Sequence, residues 1–320
     1  MLVHHDSRPS VHRGIARKAV RERCWKRFAR VVTFLSMFQV LGCGNSEETS
    51  LGTPPGTPDG DRASVTVVSL SPAITTTLID LGQADRLVGR TPWCRGIDDC
   101  AVAGTLEGVD AEVLVALQPT VVLHQPPATG SDPVLLDLQR RLGFAIGGGR
   151  LDGVDDVLEL LEQIEDLGLA SSARIDERRQ ALVAIGDRAT GESGPIAVLL
   201  HSVDPVGVAG ENTYLGELAR AAGLRNAAGP GGWREWSVEM LVTAEPDLVV
   251  VFTSTGMEDR VRERLSLIEW HRPPAIAIVS NPDAFEPSTR MPRVLEDLRY
   301  RIGQAGIASS GAEGEVDGDD

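Results

Sequence analysis

Three kinds of side chain in this 320-residue sequence have the type and placement for chemistry. His124 and His201 each follow an apolar run, in VVLH and AVLLH, so two imidazoles stand at the ends of two buried strands. Facing one cleft, they could ligate a metal, or the metal of a metal-bearing ligand, axially; taken singly, each hydrogen-bonds the end of its strand. Two imidazoles without a third donor do not make a structural zinc site, and no metal site is assigned. Trp93 stands beside Cys94 and Trp233 follows the loop GPGG, whereas Trp236 and Trp270 read equally well as core. Planar indoles suit a large flat ligand. Polar candidates close the strand ends: Ser71 with Pro72, Gln125, Asp204, Asp283 and Arg290.

Catalytic signatures do not emerge from the same residues. The glycines of GFAIGGGRLDG follow a strand late in its half and do not open a GxGxxG phosphate turn. His201, Ser202 and Asp204 crowd one strand end too closely for a triad, and no nucleophile elbow stands out. The residues therefore read as a binding protein rather than an enzyme, with no resident cofactor.

One phrase is written twice, as AEVLVALQPTVVL at 111–123 and VEMLVTAEPDLVVV at 238–251. Each copy predicts a cap (Asp110 or Ser237), a helix that stops before Pro119 or Pro246, and a buried strand. Glu112 and Glu239 thus fall at equivalent, exposed helix starts. A single acid there simply complements the helix dipole; a matched pair suits a partner with two-fold symmetry.

Residues 1–42 hold seven Arg and two Lys against two acids, and run into VVTFLSMFQVLGC, too short to span a bilayer as a stable helix. This is a secretion signal. Its end, VLGC, resembles the lipobox of bacterial lipoproteins, which makes Cys43 the lipidated first residue of an exported protein. Beyond the leader there are 22 Arg, no Lys and 44 acids, a charge of −22 (22 minus 44) against −15 for the whole chain, so nucleic acid is excluded as a partner. Cys94 and Cys100, six apart in WCRGIDDC, predict a short disulfide in an oxidising compartment; two free thiols belong to a reducing one.

Residues 43–63 read as a flexible linker and 306–320 as an acidic tail, leaving about 240 residues for two moderate domains. SVTVVSLSP with AITTTLIDLGQADRLVG gives strand, loop, helix, strand, the start of a parallel α/β unit. A second series starts at GPIAVLLHSVDP, and its TYLGELARAAGLRNAAG parallels TTLIDLGQADRLVG. Between the two, GVDDVLELLEQIEDLGL and SSARIDERRQALVAIGDRATG are helical, the second extending about 30 Å.

In this order, VVSLSPAITTTLIDLGQADRLVGRTPWC, GVDAEVLVALQPTVVL, the connecting helix, DPVGVAGENTYLGELARAAG, WSVEMLVTAEPDLVVV and PSTRMPRVLEDL resemble the helical-backbone (class III) solute receptors of ABC importers that handle cobalamin, haem and ferric siderophores. The resemblance covers residues 64–304. It implies an α/β fold of two Rossmann-like lobes joined by one long backbone helix, with ligand held between facing edges and little hinge motion. It also implies that Glu112 and Glu239 dock on arginines of the two permease subunits, and that Trp93 and Trp233 flank the ligand as aromatics do in cobalamin-binding members. The expected partners are an ABC permease dimer with its ATPase, a corrinoid, haem or ferric siderophore, and the membrane through the lipid anchor alone. The corresponding division is 1–42 signal, 43–63 linker, 64–152 N-terminal lobe, 153–192 connecting helical segment, 193–305 C-terminal lobe and 306–320 tail. A receptor for a bare transition-metal ion, and a two-lobed α/β enzyme, are the alternatives.

Overall fold

The computed structural model describes residues 65–105, 108–187 and 194–307. The leader, Cys43, the linker and the tail beyond residue 307 lie outside the described residues. The first half runs β1 (Val67–Ser69), α1 (Pro72–Asp80), β2 (Leu87–Arg90), β3 (Ala101–Val102), α2 (Ala111–Leu117), β4 (Val121–His124), α3 (Pro133–Leu142) and β5 (Ala145–Gly148). Its sheet is parallel throughout, in the order β3-β2-β1-β4-β5. Helices α4 (Val154–Asp166) and α5 (Ser172–Asp187) follow.

The second half runs β6 (Ile196–Val203), β7 (Val206–Ala209), α6 (Tyr214–Ala221), β8 (Arg225–Asn226), β9 (Trp233–Trp236), α7 (Val238–Thr243), β10 (Leu248–Phe252), α8 (Glu258–Ser266), β11 (Ala275–Val279) and α9 (Met291–Gln304). Here the order is β11-β10-β6-β7-β9, with β8 also beside β6. Strand β6 has eight residues, so it serves two neighbours on one edge. Its start pairs in parallel with β8, as β1 does with β2, and its end pairs antiparallel with β7. The C-terminal lobe is thus a parallel unit carrying an antiparallel β7–β9 extension, which the duplicated pattern does not contain.

The doubled phrase folds the same way twice. Asp110 accepts hydrogen bonds from the Glu112 and Val113 amides at the start of α2 (3.0 and 3.1 Å), and Ser237 accepts from Met240 at the start of α7 (3.2 Å). Both copies end at a left-handed residue just before proline, Gln118 (φ 44°) and Glu245 (φ 42°), the two non-glycine positive-φ positions among the described residues. The next residue ties its strand to its neighbour: Thr120 Oγ1 accepts from the Thr66 amide and Asp247 Oδ2 from the Ile196 amide, each at 2.9 Å.

Alternation along the strands decides what each sheet face covers. Val68 and Val122 pack outward against Leu114 of α2 and Leu135 and Leu138 of α3. Val198, Leu200, Val249 and Val251 do the same against Leu241 of α7 and Val261 and Leu265 of α8. The opposite faces, Val67, Val121 and Leu123 in one sheet and Ala197, Leu199, Leu248 and Val250 in the other, enter a single cluster. Leu160, Leu161 and Ile164 of α4 and Ile175, Leu182 and Ile185 of α5 join that cluster to α1, α6 and α9. The connector is therefore a pair of helices that each turn one face to the shared core, and α5, with 16 residues, is about 24 Å long.

Backbone contacts stitch the connector to the second lobe. The Tyr214 amide donates to Asp152 O (2.7 Å), and the Val154 amide, at the start of α4, donates to Glu217 Oε2 of α6 (2.7 Å). Position 153 is glycine for space: a Cβ there would stand 2.9 Å from Glu217 Oε1. Burial pushes the Glu217 carboxyl above the usual carboxylate range, and the nearby Asp155 and Asp156 add to this, against the opposing pull of the Val154 hydrogen bond and Arg220. A raised carboxyl contributes its full stability below the ordinary carboxylate range and loses it as pH climbs through the raised value. Glu217→Gln, which keeps the acceptor without the charge, should raise the melting midpoint at pH 7 by about 2 °C. At pH 4 calorimetry should find the variant and the parent equal; a gain of the same size at both pH values would rule this out.

Candidate ligand-binding site

The two lobes meet over the turn Pro282–Phe285, which Asn281 starts by accepting from the Asp283 amide (2.9 Å). Arg95, in the loop after β2, reaches across to it: its Nη2 lies 2.8 Å from Glu286 Oε1 and 3.2 Å from Asp283 Oδ1, and also donates to Pro282 O (3.1 Å). From the same lobe, the Thr76 hydroxyl of α1 donates to the second Glu286 oxygen. A turn further along α1, Asp80 is 7% exposed and meets Arg178 of α5 at 2.7 Å, the Thr289 hydroxyl at 2.9 Å, and Arg293 and Arg290 at 3.8 and 3.9 Å. Arg290 also pairs with Asp283 at 3.4 Å. This is a clasp of alternating charge across the seam.

Of the tryptophans exposed among the described residues, one shares the loop of Arg95 and the other is tied to that turn by contact. Trp93, 57% exposed, is two residues before Arg95 in the same loop. Trp233, 44% exposed, meets the His201 ring edge-on (centroids 5.0 Å, 89°) and lies tilted on Tyr214 (5.6 Å, 59°), whose hydroxyl donates to Ala284 O (2.8 Å). Burial holds the Tyr214 hydroxyl well above the usual phenol range, so it stays a donor. Gly207 of β7 makes room for the imidazole: a Cβ there would fall 2.5 Å from His201 Cε1. Burial lowers the His201 pKa, which leaves a neutral ring with a lone pair at neutral pH. Phe285, 41% exposed, adds an aromatic to the same turn.

His124 stands elsewhere. It lines a cavity of ≈ 300 Å³ whose lining residues all belong to the N-terminal lobe, and its Nε2 lies 3.3 Å from the Ser131 hydroxyl. Burial depresses its pKa, partly offset by Asp132. The two imidazoles thus sit in different surroundings, one in this cavity and one against Trp233. Among the described residues no group of three or more His, Cys, Asp or Glu is placed to hold a metal ion.

Several expectations change on contact with the structure. Ser71 is fully buried, where it caps α1 and donates to Gln125 Oε1 (3.0 Å), and Pro72 is the first residue of that helix. Asp204 is at the tip of the β6–β7 hairpin and pairs with Arg264 of α8. Asp283 and Arg290 belong to the clasp, with their charges already engaged. Trp233 is the first residue of β9, paired with Ala209, rather than a loop residue. The expected Cys94–Cys100 bridge is not formed. Buried Cys94 accepts from the Thr75 hydroxyl (3.0 Å), and the Cys100 thiol donates to Leu87 O (3.0 Å), so each sulfur is engaged within the fold. Arg95, Asp80, Tyr214 and Glu286 are the site residues that sequence reasoning missed. Arg95 alone had a signal, its place beside Trp93 in the rim loop.

Glu112 and Glu239 are exposed at the second positions of α2 and α7, on the outward faces of the two sheets. The Ser237 hydroxyl and the helix-start amide at Glu239 hold the Glu239 carboxyl below its usual range.

Two α/β lobes around one core, with aromatics at their seam, define a two-lobed receptor scaffold. Residues 67–267 match the periplasmic binding protein family, and the chain belongs to that family. A cobalamin-binding protein of Halobacterium salinarum is 26% identical over 229 residues, 65% of this chain and 61% of that protein, so the chain spans about 61% of the length of the curated relatives it matches. Among solved structures, the apo form of the periplasmic heme-binding protein RhuT from Roseiflexus sp. RS-1 superposes with TM-score 0.60 at 23% identity, over 76% of this chain and 99% of that one. The periplasmic vitamin B12 binding protein BtuF of Vibrio cholerae does so with TM-score 0.58 at 15% identity, over 76% and 98%. At these identities the two structures support the fold alone.

Removing the carboxylate at the centre of the clasp leaves Arg178, Arg290 and Arg293 together without their shared counter-charge. Asp80→Ala should cost about 2 kcal/mol, because Arg178 and Arg290 keep Glu177 and Asp283 as partners and Arg293 is exposed, while the hydrogen bonds to Arg178 and Thr289 are lost. Urea unfolding measures this, and a loss under about 1 kcal/mol would show the clasp to be solvated.

Proposed function

We propose that this protein is the solute receptor of an ABC importer, which captures a corrinoid or iron-chelate ligand between its lobes and delivers it to the permease. The observation that carries this reading is the pair of exposed indoles, Trp93 and Trp233, on different lobes, Trp93 in the loop whose Arg95 meets Glu286 and Trp233 against Tyr214, which meets Ala284. Indoles supply flat apolar area at low entropy cost, and the Trp233 ring is already held by His201 and Tyr214. The neutral His201 beside Trp233 offers a nitrogen to a ligand's cobalt or iron. A receptor for a bare transition-metal ion would want three or four protein donors, a grouping not found among the described residues. The relative named as a cobalamin-binding protein agrees with a corrinoid cargo.

Delivery rests on Glu112 and Glu239, whose equivalent helices give a two-fold permease two equivalent charges to meet. Export and anchoring rest on the basic leader and on Cys43 as the lipidated residue. Among the described residues no helix is long and apolar enough to cross a membrane.

Tryptophan fluorescence of the protein lacking its leader should be quenched by cyanocobalamin, haemin or a ferric siderophore, and Trp93→Ala or Trp233→Ala should each weaken that binding by about tenfold or more. Quenching by zinc or manganese alone would overturn the reading. The double variant Glu112→Ala, Glu239→Ala should bind ligand as the parent does and abolish import into cells, with Cys43→Ser releasing the protein from the membrane fraction. Full uptake by the double variant would refute the docking role.

A further inference from the structure

We propose that the cavity at the ends of β1 and β4 is a side pocket for a neutral, hydrogen-bonding arm of the ligand, of the carboxamide or hydroxyl kind, and that it refuses a carboxylate. This rests on the receptor reading above. At ≈ 300 Å³ the cavity stands at the lower end of ligand sites, about 300–1,000 Å³, so it holds a pendant group while a macrocycle lies outside it. Its wall includes His124 and Gln125 at the carboxyl end of β4, the sheet end at which α/β proteins collect ligands, and Gln125 Oε1 accepts the hydroxyl of Ser71, which follows β1 (3.0 Å).

The wall's chemistry sets the preference. It carries one carboxylate, Asp132, and neither Arg nor Lys among its lining residues. The Asp132 oxygens accept the Val134 amide (2.9 Å) and the Val109 amide (3.1 Å), and each keeps a second lone pair for an incoming N–H or O–H. His124, kept neutral by burial, and the Ser131 hydroxyl form an adjacent donor–acceptor pair, with the Thr129 hydroxyl beside them on the wall. An amide arm finds both donors and acceptors there. A carboxylate arm would be desolvated next to Asp132 with no cation to offset it.

Isothermal titration with cyanocobalamin, which bears carboxamide arms, and haemin, which bears carboxylates, tests this on the protein lacking its leader. The parent should bind cyanocobalamin more tightly than haemin. Thr129→Trp, which crowds the cavity, should weaken cyanocobalamin by about tenfold, roughly 1.4 kcal/mol. Thr129→Arg, which puts a cation on the wall, should shift the preference towards haemin. If Thr129→Trp lowers the melting midpoint, the Thr129→Arg preference decides alone. Binding of both probes with cyanocobalamin affinity within about twofold of the parent's in each folded variant, or tighter haemin binding by the parent, overturns this inference and leaves the receptor reading standing. Binding of neither probe to the parent overturns both.

Discussion

The inner faces of both sheets are buried against the same helices, and this shared interior governs how the two halves behave. Leu160, Leu161 and Ile164 of α4 and Ile175, Leu182 and Ile185 of α5 share one cluster with both sheets, α4 packing on β5 of the first lobe and α5 on α6 and α9 of the second. Parting the lobes would bring this apolar surface into water at roughly 25 cal/mol per Å². The polar clasp is secondary in energy. Arg95 is half exposed, so its pairs with Asp283 and Glu286 are screened. What the clasp contributes is direction, because Glu286 and Asp283 accept from particular donors on the facing lobe and so fix the turn against which the tryptophans stand.

Much of the architecture was legible because it is local and periodic. Capping residues, the proline stops and period-two strands all lie within short windows, and the doubled phrase states them twice. The left-handed Gln118 and Glu245 show how deep the repeat runs, since unlike residues adopt one strained conformation where the following proline closes the α region. The β7–β9 extension escaped because nothing in the first copy announces it. Its signal lay in the length of β6, two neighbours long, and that length becomes meaningful only once β8 is seen to occupy its first half.

The site was legible in its aromatics and obscure in its charges. Exposed indoles in an acidic, tryptophan-poor chain stand out against composition, whereas Arg95 is one of many arginines and Glu286 one of many acids. Their roles come from contacts 191 residues apart in sequence, and no window holds both partners. The same separation hides the partners of Ser71, Asp204 and Arg290 from the sequence. Each stands near a strand end, as ligand-contacting residues do, but each is already engaged by Gln125, Arg264 or Asp80. A polar residue near a strand end is a candidate until its partner is known, and these partners are distant in sequence, two within the same lobe and one across the seam.

The receptor reading, combined with the shared core, constrains how a permease could tell a loaded receptor from an empty one. If the lobes cannot separate cheaply, Glu112 and Glu239 keep nearly the same spacing in both states, and their charges alone favour neither. A ligand changes affinity for the permease only by touching something that differs between the states. The exposed aromatic surface is on the rim loop carrying Trp93 and on β9 carrying Trp233. The rim loop meets the facing lobe where Arg95 reaches Glu286, Asp283 and Pro282, and β9 is laddered to β7 with Trp233 against Tyr214. Discrimination therefore falls to the rim, where a bound macrocycle would cover the indoles, while the rigid body behind supplies the recognition that loaded and empty forms share.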